Sequence, residues 1–147
     1  MASVDVQVQT VIHRPREVVA AYAADPTNAP AWYSNIKAVK WRTSPPVRVG
    51  SRMEFVANFM GTRITYTYEV AELVPGERLV MRASDGPMAM ETTYTWTDDG
   101  DGTRMRLRNC GGPSGFAKLT APIMAAAVRR ATTKDLARLK EILEAQA

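Results

Sequence analysis

The chain has 147 residues, 46% of them hydrophobic and 23% charged, with a net charge of +4. That is ordinary for a soluble globular protein, and the length lets a single domain over residues 1–147 bury roughly 70% of the surface its unfolded chain exposes. One cysteine and one histidine exclude an internal disulfide, a Cys-rich zinc site and a His-cluster metal site, and so mild a positive charge is no argument for nucleic-acid binding.

Residues 4–12, "VDVQVQTVI", alternate apolar and polar as a half-buried strand does. In "HRPREVVAAYAADP", Pro15 suits a first helical turn, Glu17 favours its positive end and Asp25-Pro26 stops it. "TNAPAWYSNI" predicts a second short helix from Thr27 or Asn28. From residue 36 the period becomes two: "IKAVKWRT", "RMEFVANF", "RITYTYEVAE", "RLVMRAS", "METTYTWT" and "TRMRLRN" follow one another, several of them separated by tight glycine-containing turns. This is the pattern of an antiparallel meander. The remainder returns to helical spacing, with Phe116, Leu119, Ile123, Ala127, Ala131, Leu136, Leu139 and Leu143 on one side. Pro122 is an obstacle near the start of that helix.

The fold class is therefore α+β: one strand, two short helices, six strands and a long helix. One long helix must cover one face of a curved sheet, and the space left between them is where a small molecule can bind. The start "MASVDVQVQT" lacks a basic region followed by an apolar run, and the apolar run "APIMAAAV" is too short to span a bilayer. The expectation is a cytoplasmic protein with no stable membrane insertion.

The stretch "RNCGGPSGFAKLT", residues 108–120, joins the last strand to the long helix. A phosphate-binding loop needs Lys-Ser/Thr directly after its last glycine; here Phe116-Ala117 follow Gly115. The glycines read instead as a junction of unusual backbone angles. Cys110 has no base that sequence alone places beside it, so it reads as a small buried hydrophobe. His13 stands at a strand-to-helix corner and is expected in solvent. "DDGDGT" has Cys110 where a calcium loop beginning at Asp99 needs a bidentate Glu, so it reads as an acidic hairpin turn. Arg104, Arg106 and Arg108 form a stripe on the face opposite Met105 and Leu107, without an aromatic platform beside it. They read as a solvated sheet surface.

The order of these elements resembles the START-like (SRPBCC) superfamily, and within it the polyketide cyclase/dehydrase and lipid-transport branch. The stretches that carry the likeness are "VIHRPREVVAAYAADPTNAPAW", "VRVGSRMEF", "YEVAELVPGERLVMRAS", "TTYTWTDDGDGTRMRL" and "LARLKEILEA". The resemblance covers essentially the whole chain. It implies a helix-grip fold: a curved antiparallel sheet of about seven strands wrapped around a long C-terminal helix, with two short helices after the first strand. It also implies a deep apolar cavity between sheet and helix, with the glycine junction near its opening. Gly111, Gly112, Gly115 and Phe116 would form that portal or hinge.

The expected cavity lining is Phe55, Phe59, Tyr66, Tyr68, Met81, Met90, Tyr94, Trp96, Met105 and Leu107 from the strands, with Leu119, Ile123, Met124 and Ala127 from the helix. Small side chains in "TAPIMAAAV" and eight methionines favour space over a filled core, and ligand pockets usually exceed about 300 Å³. The expected function is binding of an apolar or amphipathic small molecule such as a lipid, isoprenoid or polyketide, with tyrosine hydroxyls and Asn58 or Asn109 orienting a polar end. No cofactor is expected. A polyketide cyclase/aromatase or dehydratase is the alternative. It is disfavoured because Glu54, Glu69 and Glu91 fall on the outer face and no inward carboxylate is evident; an inward turn of Arg82 or Glu91 would revive it. A protein-interaction module of the same fold ranks third, because the outer sheet face is polar.

Overall fold

Strand β1 (Val4–Ile12) keeps the alternation of its sequence, burying Val4, Val6 and Ile12. Helix α1 (Arg16–Ala24) starts directly after Pro15 and ends at Asp25. The Asp25 carboxylate accepts the Thr27 N–H at 3.0 Å, which starts a 3-10 turn, Pro26–Asn28, that runs into the single helical turn α2 (Ala29–Trp32). The second short helix read from the sequence is thus split in two. Strands β2 (Ile36–Trp41), β3 (Arg52–Phe59), β4 (Thr62–Val74), β5 (Arg78–Ala83), β6 (Ala89–Asp99) and β7 (Gly102–Gly112) follow, and helix α3 (Ala117–Ala145) comes last. This computed structural model describes residues 4–59, 61–83, 89–112 and 117–146.

The strands form one seven-stranded sheet in the order β1-β7-β6-β5-β4-β3-β2, antiparallel throughout. Consecutive strands pair as a meander, and β1 joins it through β7. The chain therefore crosses from one sheet edge to the other through α1 and α2. Gly102 permits a tight corner here: a Cβ at this position would lie 2.7 Å from the Ile12 carbonyl oxygen, so any side chain would push β7 off the end of β1. In the β4–β5 turn Gly76 adopts φ 79°, and its carbonyl accepts the Arg16 guanidinium at 3.0 Å, fixing α1 to the sheet.

Strand faces match the sequence reading. Met53, Phe55, Ala57, Tyr68, Val70, Tyr94, Trp96, Met105 and Leu107 are buried on the concave side. The convex side is polar and charge-paired: Arg82 meets Glu91 at 2.6 Å, Arg42 meets Glu54 at 2.8 Å, and Arg108 meets Asp5 at 2.8 Å. Two members of the basic stripe, Arg104 and Arg108, are thus held by carboxylates.

Helix α3 covers the concave side and also the open edge of β1. Lys140 donates to the Val11 carbonyl at 2.7 Å and Arg129 to that of Gln7 at 3.4 Å, so edge carbonyls are not left free for another chain. Arg14 donates to the Leu143 carbonyl at 2.7 Å and His13 N–H to the Glu144 carboxylate at 2.9 Å, locking the end of the helix. The buried side of α3 is Met124, Val128, Thr132, Asp135, Leu136, Leu139 and Leu143. The first part of the helix is thus turned relative to the sequence reading. Ile123, expected to face inward, is 62% exposed, and Ala127 is only half-buried. Two polar residues the sequence reading did not place inside, Thr132 and Asp135, share the inner side of the helix with Ala131.

A test of this rotation compares Leu139→Ala with Ile123→Ala in urea denaturation. Leu139 is fully buried, so its truncation is expected to cost about 2–5 kcal/mol, while loss of the exposed Ile123 side chain costs less than about 0.5 kcal/mol. Equal losses would reject the helix setting.

Candidate functional site

Between the concave sheet, α3 and the short helices lies a cavity of about 130 Å³. Its floor is the sheet: Phe55 and Ala57 of β3, Ile64, Tyr66 and Tyr68 of β4, Leu79, Met81 and Ala83 of β5, Met90, Thr92 and Tyr94 of β6, and Asn109 of β7. Val128, Ala131, Thr132 and Asp135 of α3 form the roof, and Ala23, Ala24, Pro26, Ala29, Tyr33 and Ile36 close one end. The volume is well below the expected 300 Å³ or more. Aromatic rings take up the difference: Phe55, Tyr66 and Tyr68 lie with centroids 5.3–5.8 Å apart, and Tyr33 reaches in from the α2–β2 loop.

Of the lining residues expected from sequence, Phe55, Tyr66, Tyr68, Met81, Met90 and Tyr94 border this cavity. Trp96, Met105 and Leu107 are buried but belong to the packed core beside it. Met124 packs with Val4, Val6 and Val128 against the sheet edge, away from the cavity. Ile123 faces solvent and Ala127 does not reach the wall. The side chains of Phe59 and Leu119, and the whole of Gly115 and Phe116, lie outside the described residues. Gly111 has φ 127° but is not in a free loop: it pairs with Val4 and Met90 inside β7, and Gly112 pairs with Ala89.

The polar groups of the cavity form linked sets. Tyr68 and Thr92 hydroxyls are 2.6 Å apart, Thr92 donates to the Asn109 amide oxygen at 2.6 Å, and the Asn109 amide nitrogen donates to Thr132 at 3.3 Å. This row ties β4, β6 and β7 to α3. Tyr33 and Tyr94 share a hydroxyl–hydroxyl hydrogen bond. Asp135 Oδ1 accepts from the Ser34 backbone N–H at 2.8 Å and the Ser34 hydroxyl at 3.0 Å, joining α3 to the α2–β2 loop. Burial holds the tyrosines neutral: it pushes Tyr68 up to about 12 and Tyr33, Tyr66 and Tyr94 further still. Burial also raises Asp135 above its ordinary value, against the two Ser34 hydrogen bonds and the Lys134 charge.

Asp135 corrects the expectation that no carboxylate faces inward. Glu91 and Arg82 remain on the convex face, paired with each other. Asn109 is at the cavity, whereas Asn58 is exposed. Tyr33, Thr132 and Asp135 escaped the sequence reading. The available signal was the four-residue spacing Asp135–Leu139–Leu143, which puts Asp135 on the stripe of two fully buried leucines of the helix.

Other candidates fall away from the cavity chemistry. Cys110 pairs with Asp5 and His13 follows Ile12, whose partner is Thr103, so roughly 26 Å of chain separates them at about 3.3 Å per residue. The Cys110 thiol is pushed up by burial rather than activated. Among the described residues no three His, Cys, Asp or Glu side chains could hold a metal ion together. No described helix is long and apolar enough to cross a membrane. A second depression of about 530 Å³ lies between α2, the α2–β2 loop and α3. Exposed Lys37, Lys134, Arg138 and Glu141 surround it, so it is a wet surface cleft, and Tyr33, Ile36 and Asp135 form the partition from the inner cavity.

None of the curated proteins matches this chain. Solved structures do. The protein TTHA0849 from Thermus thermophilus is similar over 97% of this chain and 99% of its own, with a TM-score of 0.84 and 20% identity. The Zhui aromatase/cyclase from a Streptomyces species matches 97% of this chain and 94% of its own, with a TM-score of 0.81 and 15% identity. A START superfamily protein from Mycobacterium smegmatis matches 97% and 95%, with a TM-score of 0.75 and 14% identity. At such identities the likeness is one of fold, the helix-grip architecture described above. The family model for polyketide cyclase / dehydrase and lipid transport matches residues 3–144, and the chain belongs to that family.

Proposed function

We propose that this protein binds an apolar or amphipathic small molecule in the cavity between the sheet and α3. The observation that carries this reading is the make-up of the cavity: aromatic, methionine and alanine walls with a few converging polar groups, Tyr33, Tyr66, Tyr94, Asn109 and Asp135. Apolar walls supply affinity at about 25 cal/mol per Å² of ligand surface buried, and the polar groups supply orientation. At about 130 Å³ the cavity suits a group about the size of one aromatic ring; an engineered apolar cavity of about 150 Å³ in another protein takes up benzene. A longer lipid, isoprenoid or polyketide would place only one segment there. The START-like and aromatase/cyclase neighbours support a binding role of this kind.

Asp135 supports a second reading, catalysis on a polyketide-like substrate in the same cavity. A carboxyl in an apolar site with raised proton affinity suits proton transfer at a carbon next to a carbonyl, and buried neutral tyrosines suit holding the carbonyl oxygen.

Two experiments address these readings. Filling the cavity with Ala131→Phe is expected to weaken uptake of apolar probes at least tenfold, while circular dichroism stays that of the parent; native mass spectrometry and fluorescence titration measure it. A parent chain that takes up no fatty acid, sterol or aromatic compound rejects the binding reading. The proton affinity of Asp135 is tested by stability against pH. Its folded value lies above the ordinary 3.8, so the folded state binds the proton more tightly than the unfolded one. The resulting stability is present below 3.8 and lost as pH rises through the folded value. Relative to Asp135→Asn, the parent should therefore lose ground as pH rises from 3 to 7 in urea melts. A difference that does not change with pH rejects the shift.

A further inference from the structure

The hydrogen-bond inventory of the cavity says which end group it accepts. Thr92 has one hydroxyl proton, and it goes to the Asn109 amide oxygen, which can only accept. The Tyr68 hydroxyl must then donate to Thr92. Asn109 in turn donates to Thr132. Within this row the Thr92 and Tyr68 protons are therefore spent.

The other hydroxyls are not spent. Tyr33 and Tyr94 share one hydrogen bond, which uses one of their two protons. Neither hydroxyl has another partner among the described residues, so one donor of the pair is left over. The Tyr66 hydroxyl has no hydrogen-bond partner among the described residues. Opposite them, Asp135 Oδ1 is occupied by Ser34, and its carboxyl is the sole non-phenolic ionisable group among the described lining residues. It lines the same cavity as Tyr33, Tyr66 and Tyr94.

We infer that the cavity selects a neutral ligand presenting a hydrogen-bond-accepting oxygen, such as a ketone or ester carbonyl, and discriminates against a carboxylate. Two uncommitted phenol protons, from Tyr66 and from the Tyr33–Tyr94 pair, point to an acceptor as their missing partner. A neutral carbonyl satisfies them without introducing charge. A carboxylate would share an apolar site with Asp135, and two carboxylates so placed cannot both ionise cheaply; either they repel or one must hold a proton. Simple fatty-acid carriage with the carboxylate innermost is therefore the wrong chemistry for this cavity. The inference rests on the binding role proposed above and narrows it to a ligand class.

Three nearly isosteric single-ring probes test it: ethylbenzene, acetophenone and benzoate, titrated at pH 7.5 into the parent chain and followed by amide chemical shifts. Acetophenone is expected to bind at least tenfold more tightly than benzoate, with ethylbenzene between them. Tyr66→Phe should weaken acetophenone about fivefold and leave ethylbenzene within twofold. Asp135→Asn should strengthen benzoate at least fivefold, again with ethylbenzene within twofold. The ethylbenzene arm separates loss of fold or cavity from loss of the polar contact. Benzoate binding as tightly as acetophenone while ethylbenzene also binds overturns the selectivity alone. Failure of all three probes to bind the parent overturns the binding role, and the selectivity with it.

Discussion

One helix has to cover a seven-stranded sheet, and the rest of the structure follows from that mismatch. Seven strands spaced about 4.8 Å apart span roughly 29 Å, while a helix with its side chains is about 10–12 Å across. A flat sheet would leave more than half of its apolar face in water. Curvature brings the outer strands toward α3, α1 and α2 plug the end between β1 and β2, and large rings from β3, β4 and β6 reach inward. What these do not fill is the cavity. Its position is therefore a product of architecture, and its small volume is a product of tyrosine.

The same mismatch explains why so much polarity lies inside. A filled core of leucines would need no partners, but a cavity wall built from Tyr, Thr and Asn must satisfy each hydroxyl and amide it buries. The row from Tyr68 to Thr132 does so by crossing from sheet to helix, each link contributing on the order of 1 kcal/mol net and costing more if broken. Asp135 and Ser34 make the corresponding link to the α2–β2 loop. These contacts fix the rotation of α3 and the position of Tyr33 together, so cavity shape and helix setting are one property. The indole N–H groups of Trp32 and Trp96 are buried without a partner among the described residues, a cost of roughly 1–3 kcal/mol each that the surrounding aromatic packing must outweigh.

A cavity with apolar walls and one carboxyl in its roof serves binding and proton transfer equally well in outline. The family includes both kinds of role in its description, polyketide cyclase / dehydrase and lipid transport. What separates the two in this chain is chemical detail at Asp135, Tyr66 and the Tyr33–Tyr94 pair, since the sheet and helix that carry them are common to the fold.

The sequence by itself determined the element order, the meander and the inward setting of residues such as Phe55, Tyr68, Tyr94 and Leu107. Period-two alternation leaves a strand only two settings, and residues such as Phe55, Tyr68 and Tyr94 decide between them. A helix has no such binary choice. In α3 the apolar residues Ile123 and Ala127 were expected inside with Met124 and Ala131, while the folded helix exposes Ile123 and turns Val128 and Thr132 inward. That setting is decided by partners far along the chain: Asn109 for Thr132, and Ser34, 101 residues away, for Asp135. A polar side chain belongs inside only when its partner is there to meet it, and local periodicity carries no information about a partner on another element. Tyr33 was hidden for the same reason. Nothing in "AWYSN" says that its hydroxyl meets Tyr94; the tertiary structure alone brings a loop residue to the wall of the cavity.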